Sequence, residues 1–265
     1  MAMITCPECG RSVSDKASTC PGCGCPIAQA SNDAANNARE LDDLYTLAHR
    51  ARDSENIEDD AKYYGQIVQL YPNDPEAYFF SVYYQQLNSQ IYKIPDAAYN
   101  IRSSIDPTID LIVALPSDKQ EQLFSMLAKY TQSAVEMLYY NADQKLTYVA
   151  HTQVRGIDPT SKKACFDLIE HCASALKNTA RGKMSAFKVY EYILNAPKFK
   201  DMINEDDIWR SMHECDPSFD ADSRINAKVS QQQTAKKIEN KMSWGLLVLI
   251  ILIIAVPLIL AIFVF

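Results

Sequence analysis

From Ala38 onward the apolar positions of this chain recur at intervals of three and four, the period of a helix with one buried face. Leu41, Leu44, Ala48 and Ala51 mark a first helix, and Ile57, Ala61, Tyr64, Val68 and Tyr71 a second. The pair Asp-Pro then recurs at 74–75, 106–107, 158–159 and 216–217. Aspartate accepts from the free first-turn amides and proline fits the first turn, so each pair predicts a helix start. The expected helices run over about 75–88, 107–115 and 159–181, with a short last turn near 217. Ser117 and Gln120 have capping-box spacing and open a stretch free of Gly and Pro as far as Arg155, with a break expected near Asn141. Gly156 and Gly182 stand where C-terminal caps belong, and Asn204 can cap a helix through Asp207, Trp209 and Met212.

The pattern changes at both ends. Ala28 to Asn37, AQASNDAANN, is small and polar without an apolar period and predicts a flexible linker over 28–37. Leu246 to Phe265 holds only Leu, Ile, Val, Ala and Phe apart from Pro257. A helix of that length rises about 30 Å, the thickness of a bilayer's hydrocarbon, so residues 244–265 are expected to cross a membrane once. Lys241 and Trp244 suit its interface, and Pro257 is tolerated with a bend near Ile253. Before it lie Arg224, Lys228, Lys236, Lys237 and Lys241 against Glu239 alone, a net of +4. Positive flanks stay on the cytoplasmic side, which places residues 1–243 there. The start, MAMITC, has neither the basic nor the apolar region of a signal peptide. The expectation is a tail-anchored, single-pass layout.

Charge sharpens this. The chain of 265 residues carries −7 formally; less the +4 of the stem, −11 falls on residues 1–223. Such a domain is repelled by phosphate backbones and anionic lipid, whereas the stem over 218–243 is suited to anionic headgroups. Seven glycines are few for this length and alternating patterns are scarce, so the fold class expected is mainly α.

The eight cysteines raise a choice between disulfides and metal. Spacing decides. Cys6-Pro7-Glu8-Cys9-Gly10 and Cys20-Pro21-Gly22-Cys23-Gly24 are two CPxCG knuckles separated by ten residues. Two cysteines three apart reach one ion from a tight turn, and the following glycine lets the backbone curl so that amides face the sulfurs. Four thiolates make a closed, tetrahedral structural zinc site for one Zn2+ ion. Cys25 is a fifth thiol that competes with Cys23 for the role; only Cys23 completes a second knuckle. Residues 4–27, ITCPECGRSVSDKASTCPGCGCPI, resemble the short N-terminal zinc-ribbon domains of bacterial membrane-associated proteins. The resemblance implies a small ribbon over 1–27 with Cys6, Cys9, Cys20 and Cys23 as ligands; it brings no activity. The gap is shorter than in nucleic-acid-binding ribbons. Arg11 and Lys16 are its only cations, opposed by Glu8 and Asp15.

Over 38–217, helix, short loop, helix, with proline after an aromatic, resembles tetratricopeptide-like repeats, closest at AKYYGQIVQLYP (61–72) followed by Asp74-Pro75-Glu76-Ala77. The Asp-Pro pairs lie 32, 52 and 58 residues apart, against a steady period of about 34 in that class. The expectation is therefore an array of helical hairpins with degenerate repeats. Thirteen of the fifteen tyrosines fall between Tyr45 and Tyr148; they either line a groove that grips a peptide or pack helix pairs, and packing is favoured because neighbours such as 63/64 point 100° apart. Cys165, Cys172, His171, His213 and Cys215 offer a second metal set, against which stands the tendency of cysteine to be buried. His49 and His151 stand alone. The acidic runs 42–43, 58–60 and 205–207 are read as solvated faces or first-turn dipole partners. No phosphate loop, catalytic triad order or HExxH is present, and no enzyme is expected.

These features lead to an expected tail-anchored scaffold or adaptor that recruits a protein or peptide partner to the cytoplasmic membrane face. The alternative is a membrane-tethered zinc-ribbon sensor or nucleic-acid-binding protein, against which the −11 charge speaks. No small-molecule substrate is indicated.

Overall fold

The computed structural model describes residues 3–15, 17–88, 93–149, 157–234 and 236. Two strands, β1 (Met3–Thr5) and β2 (Ser12–Ser14), pair antiparallel, with Ile4 opposite Val13. Among the described residues, the elements that follow from Ile27 onward are helices. The helices are α1 (Ile27–Asp53), α2 (Ile57–Leu70), α3 (Pro75–Asn88), α4 (Ile94–Val113) and α5 (Ser117–Val149). They continue with α6 (Pro159–Lys177), α7 (Lys183–Asn195), a 3-10 turn at Pro197–Phe199, and α8 (Glu205–Cys215). Residues 221–234 form a further helix.

Local signals place many of these starts. The Asp74 carboxylate accepts from the Ala77 amide at 2.9 Å, Asp158 from Ser161 at 2.9 Å, and Asn204 from Asp206 at 3.2 Å. Asn56 caps α2 by accepting from Asp59 at 3.2 Å. Each bond satisfies a first-turn donor that the helix cannot pair internally. Asp216 does not open a helix. It closes α8 and accepts from Ser218 at 2.9 Å, and the next helix begins beyond Asp220, which caps Ser223.

Four expectations are corrected. Residues 28–37, expected as a flexible linker, belong to α1, which starts at Ile27. Their four alanines are strong helix formers, and helix needs no apolar face of its own to continue. The helix expected to start at Pro107 instead runs through it, from Ile94 to Val113. Its buried stripe Ile101, Ile105, Ile109 and Ile112 is continuous across the proline. The hydrogen bond lost is the one to the Ser103 carbonyl, and Ser103 is exposed, where water can substitute. Gly182, expected as a C-terminal cap, is the N-cap of α7 with φ −84°. Helix α5 passes Asn141 without the expected break, because buried Leu138 and Ala142 extend its apolar face. At its start the Gln120 amide donates to the Val113 and Leu115 carbonyls (3.1 and 2.7 Å), tying α5 to the end of α4.

The helices share one core. Each packs on its sequence neighbour, and α6 also lies on α4. That second contact sets helices two apart in sequence side by side, as successive packed hairpins do. Cys165, Leu168, Ile169, Cys172 and Leu176 of α6 form its centre, with Phe124, Leu127 and Val135 of α5 and the isoleucines of α4 around them. Buried hydroxyls are settled locally: Ser104, Thr108 and Thr131 donate to carbonyls three or four residues back. Among the described residues no helix is long and apolar enough to cross a membrane. The span expected over 244–265 lies outside them, as do Lys16, His151 and Gly156.

Candidate metal centre

The N-terminal strands bring the two knuckles together. Cys6 follows β1 directly, and its amide donates to the Arg11 carbonyl at 2.7 Å, while Gly10 donates to the Cys6 carbonyl at 2.9 Å. The second knuckle repeats this fourteen residues later: Cys20 to the Cys25 carbonyl at 2.7 Å, Gly24 to the Cys20 carbonyl at 2.8 Å. Thr5 pairs with Ser12 in the hairpin and Thr19 with Pro26 in the matching bridge. Gly10 and Gly24 have φ of +71° and +76°, the left-handed region in which glycine carries no penalty. The two glycines are therefore required by the turn.

Four sulfurs converge. Those of Cys6, Cys9, Cys20 and Cys23 lie within 4.8 Å of one another, with 3.6 Å from Cys6 to Cys23 and 3.6 Å from Cys9 to Cys20. One knuckle cysteine in each pair, Cys6 and Cys20, is buried; Cys9 and Cys23 are exposed. Amides turn inward as the glycines permit. Gly22 donates to the Cys20 sulfur at 3.3 Å. The amide of Cys9 is the main reason that the Cys6 thiol is lowered to about 6, against the opposing effect of burial. Gly22 likewise leads the lowering at Cys20. Cys23 moves the other way: the Cys25 amide lowers it, but burial and the neighbouring cysteines outweigh that and push its thiol up to about 12. The four cysteines can hold one metal ion, with all four donors from the chain.

Cys25 has a different task. By the fourteen-residue correspondence it stands where Arg11 stands in the first knuckle, and its carbonyl closes the second. Its half-buried side chain packs beside Cys6 and Cys20 but lies outside the set of four. Arg11 itself lies across the second knuckle. A Cβ on Gly22 would come within 2.9 Å of the Arg11 Cδ, so glycine at that position makes room for it.

The other candidates do not assemble into a second centre among the described residues. Cys165 and Cys172 are buried in the core, where burial pushes both thiols up to about 12. Cys215 is buried at the end of α8. His171 binds the Asp106 carboxylate at 3.1 Å, joining α6 to α4, and His213 donates from Nδ1 to the Phe219 carbonyl at 2.8 Å. The tyrosines divide between interior and surface. Tyr64, Tyr83 and Tyr84 are buried against Phe80 and Tyr130, whereas Tyr99 and Tyr140 are exposed. The buried set packs helices, and the adjacent Tyr83 and Tyr84 both belong to it, their ring centres 4.9 Å apart.

Inside that aromatic cluster is a polar assembly that no local pattern announces. Arg52 of α1 donates to the Tyr64 hydroxyl at 3.3 Å and to Glu76 at 3.4 Å; Tyr64 donates to the same carboxylate at 3.0 Å, and His49 lies 3.2 Å from it. The guanidinium sits 5.5 Å from the centre of the Phe80 ring and 5.9 Å from that of Tyr130. Its bonds span 12 to 27 residues and join three helices, so only the alternation of Arg, Tyr and Glu with apolar stripes could have hinted at it. Nearby, Asp60 is fully buried, and neither carboxylate oxygen has a hydrogen-bond partner. All three acids of the run 58–60 stand in the first turn of α2, and of them Asp60 is buried.

Comparison of the chain with known protein families, with curated proteins and with solved structures finds no match.

Proposed function

We propose that this protein is a membrane-anchored scaffold whose N-terminal ribbon is built around one structural zinc ion. The observation that carries this reading is the convergence of four thiols from two equivalent knuckles. A tetrahedral zinc with sulfurs at about 2.3 Å sets neighbouring sulfurs about 3.8 Å apart, close to the 3.6 Å found here. With four protein ligands the ion has no vacant position for a substrate, so it serves to hold the head's shape. Leu246–Phe265 anchors the chain in the bilayer, and the basic flank keeps residues 1–243 on the cytoplasmic face. There the ribbon and the helical domain recruit a protein or peptide partner, and tethering raises the local concentration of whatever they hold.

A crosslinked pull-down of the full-length protein from membranes tests this, beside Cys6→Ser/Cys9→Ser and with or without nuclease. A discrete protein retained by the natural chain and lost by the double variant is the expected result and makes the ribbon the docking head. The same protein in both lanes moves docking to the helical domain. A catch lost on nuclease treatment would replace the scaffold by a nucleic-acid-binding function.

A further inference from the structure

One of the cations expected at the lipid surface faces the protein instead. The 221–234 helix starts at buried Ala221 and lies beside α8. The Lys228 ammonium is 3.0 Å from Glu205 and 2.9 Å from Asp206, both in the first turn of α8, and 5.3 Å from the centre of the Trp209 ring. Arg224 lies 5.0 Å from the centre of the Phe219 ring. Of the five basic residues of the stem, Lys228 is thereby turned inward, while Arg224 stays exposed over Phe219. Asp207, the third acid of that turn, is taken by Arg210 and Asn204.

The seat is specific and exchangeable at once. Two carboxylates gather where the α8 dipole favours negative charge, and an aromatic face completes the site for a cation. Lys228 and both carboxylates are about one third exposed, so salt and competing anions reach them. The Trp209 indole N–H is buried without a hydrogen-bond partner. The ring is therefore held by packing against the core and by Lys228, with no hydrogen bond to fix it, so it reports a change at that lysine.

We propose that Lys228 is a latch between the basic stem and α8, and that an anionic lipid surface competes for it, freeing the 221–234 helix from the helical domain. The inference rests on the membrane anchoring proposed above. Acidic headgroups offer the ammonium the same chemistry as Glu205 and Asp206, at higher density and beside Lys236.

The full-length chain carrying Trp244→Phe leaves Trp209 as its only indole. Reconstituted into phosphatidylcholine vesicles, with or without about one third phosphatidylserine, it is followed by Trp209 emission and by amide exchange over 221–234. Phosphatidylserine should change the emission and speed exchange by roughly three- to tenfold, the scale of a partly exposed charge cluster. Lys228→Ala should show both effects already in phosphatidylcholine, and Lys228→Arg should restore the latched values there. Protein that floats with the vesicles while Trp209 ignores phosphatidylserine overturns the latch and leaves the anchoring intact. A full phosphatidylserine response in Lys228→Ala also overturns it. Protein that does not float overturns the anchoring, and the latch with it.

Discussion

Asp60 shows how one side chain can set the pH behaviour of the helical domain. Burial pushes its carboxyl up to about 6, with Arg52 opposing and Asp59 and Asp53 adding to the rise. Because the folded value lies above the ordinary 3.8, folding favours the protonated form. The stability this contributes is present in acid and is lost as pH rises through the window from about 4 to about 6. Asp60→Asn keeps the shape and removes the charge. It should raise stability above pH 7 by about 1–2 kcal/mol, the scale of a buried unsatisfied group, and the difference should close near pH 4. Thermal melts of both proteins across that range measure it; a constant gap at all pH values would refute the assignment. A pattern reading groups Asp60 with the solvated acids around it, because its surroundings include groups of another helix, Tyr83 and Tyr84, whose hydroxyls burial and the Asp60 charge push up. The cysteines are the opposite case. Their chemistry is local, so spacing alone identifies Cys6, Cys9, Cys20 and Cys23, and even the surplus of Cys25 is resolved by the turn that it closes.

At the scale of elements, two helix ends carry measurable strain or fit. Helix α1 ends in a Schellman arrangement: Glu55 donates to the Arg52 carbonyl and Asn56 to that of Ala51. Glu55 has φ +56°, the only positive value at a described residue other than glycine. Glu55→Gly should raise stability by about 1 kcal/mol, seen as a higher denaturant midpoint with an unchanged slope. Gly182→Ala should do the reverse. Its Cβ would fall 2.3 Å from Thr179 Oγ1 and 2.8 Å from the Leu176 carbonyl, a clash worth about 1–3 kcal/mol on repacking. These ends explain what could be read from sequence. Helix starts that depend on one capping side chain, at Asp74, Asp158 and Asn204, are visible in a short window. Asp106-Pro107 has the same signature, but there the tertiary demand of the isoleucine stripe outweighs one missing hydrogen bond. Asp106 instead faces His171, a partner 65 residues away.

At the scale of the molecule, the described residues form two separate cores. Cys6, Val13 and Cys20 form the small one, with Ile4 and Cys25 beside them, and the helices form the other. No residue is shared. A ribbon this small has too little apolar area to fold unaided, so under the zinc reading proposed above its order rests on the metal. Chelation should therefore unfold residues 3–26 and leave the helical melting transition unmoved. Amide exchange with and without a chelator reads both at once; a coupled loss of helical signal would mean that the ribbon supports the body.

Helix α1 leaves the ribbon at Ile27 and continues without interruption to Asp53, and among its described side chains the face packed on the helical core begins at Leu41. The stretch before that face is a shaft, and a shaft transmits angle. Each residue inserted near Asn36 would advance the ribbon by about 1.5 Å and rotate it by about 100°. A ligand that grips ribbon and body together should thus respond to insertions periodically. Two extra residues would turn the head to the far side and abolish the joint grip, while seven, nearly two full turns, would bring it back into phase.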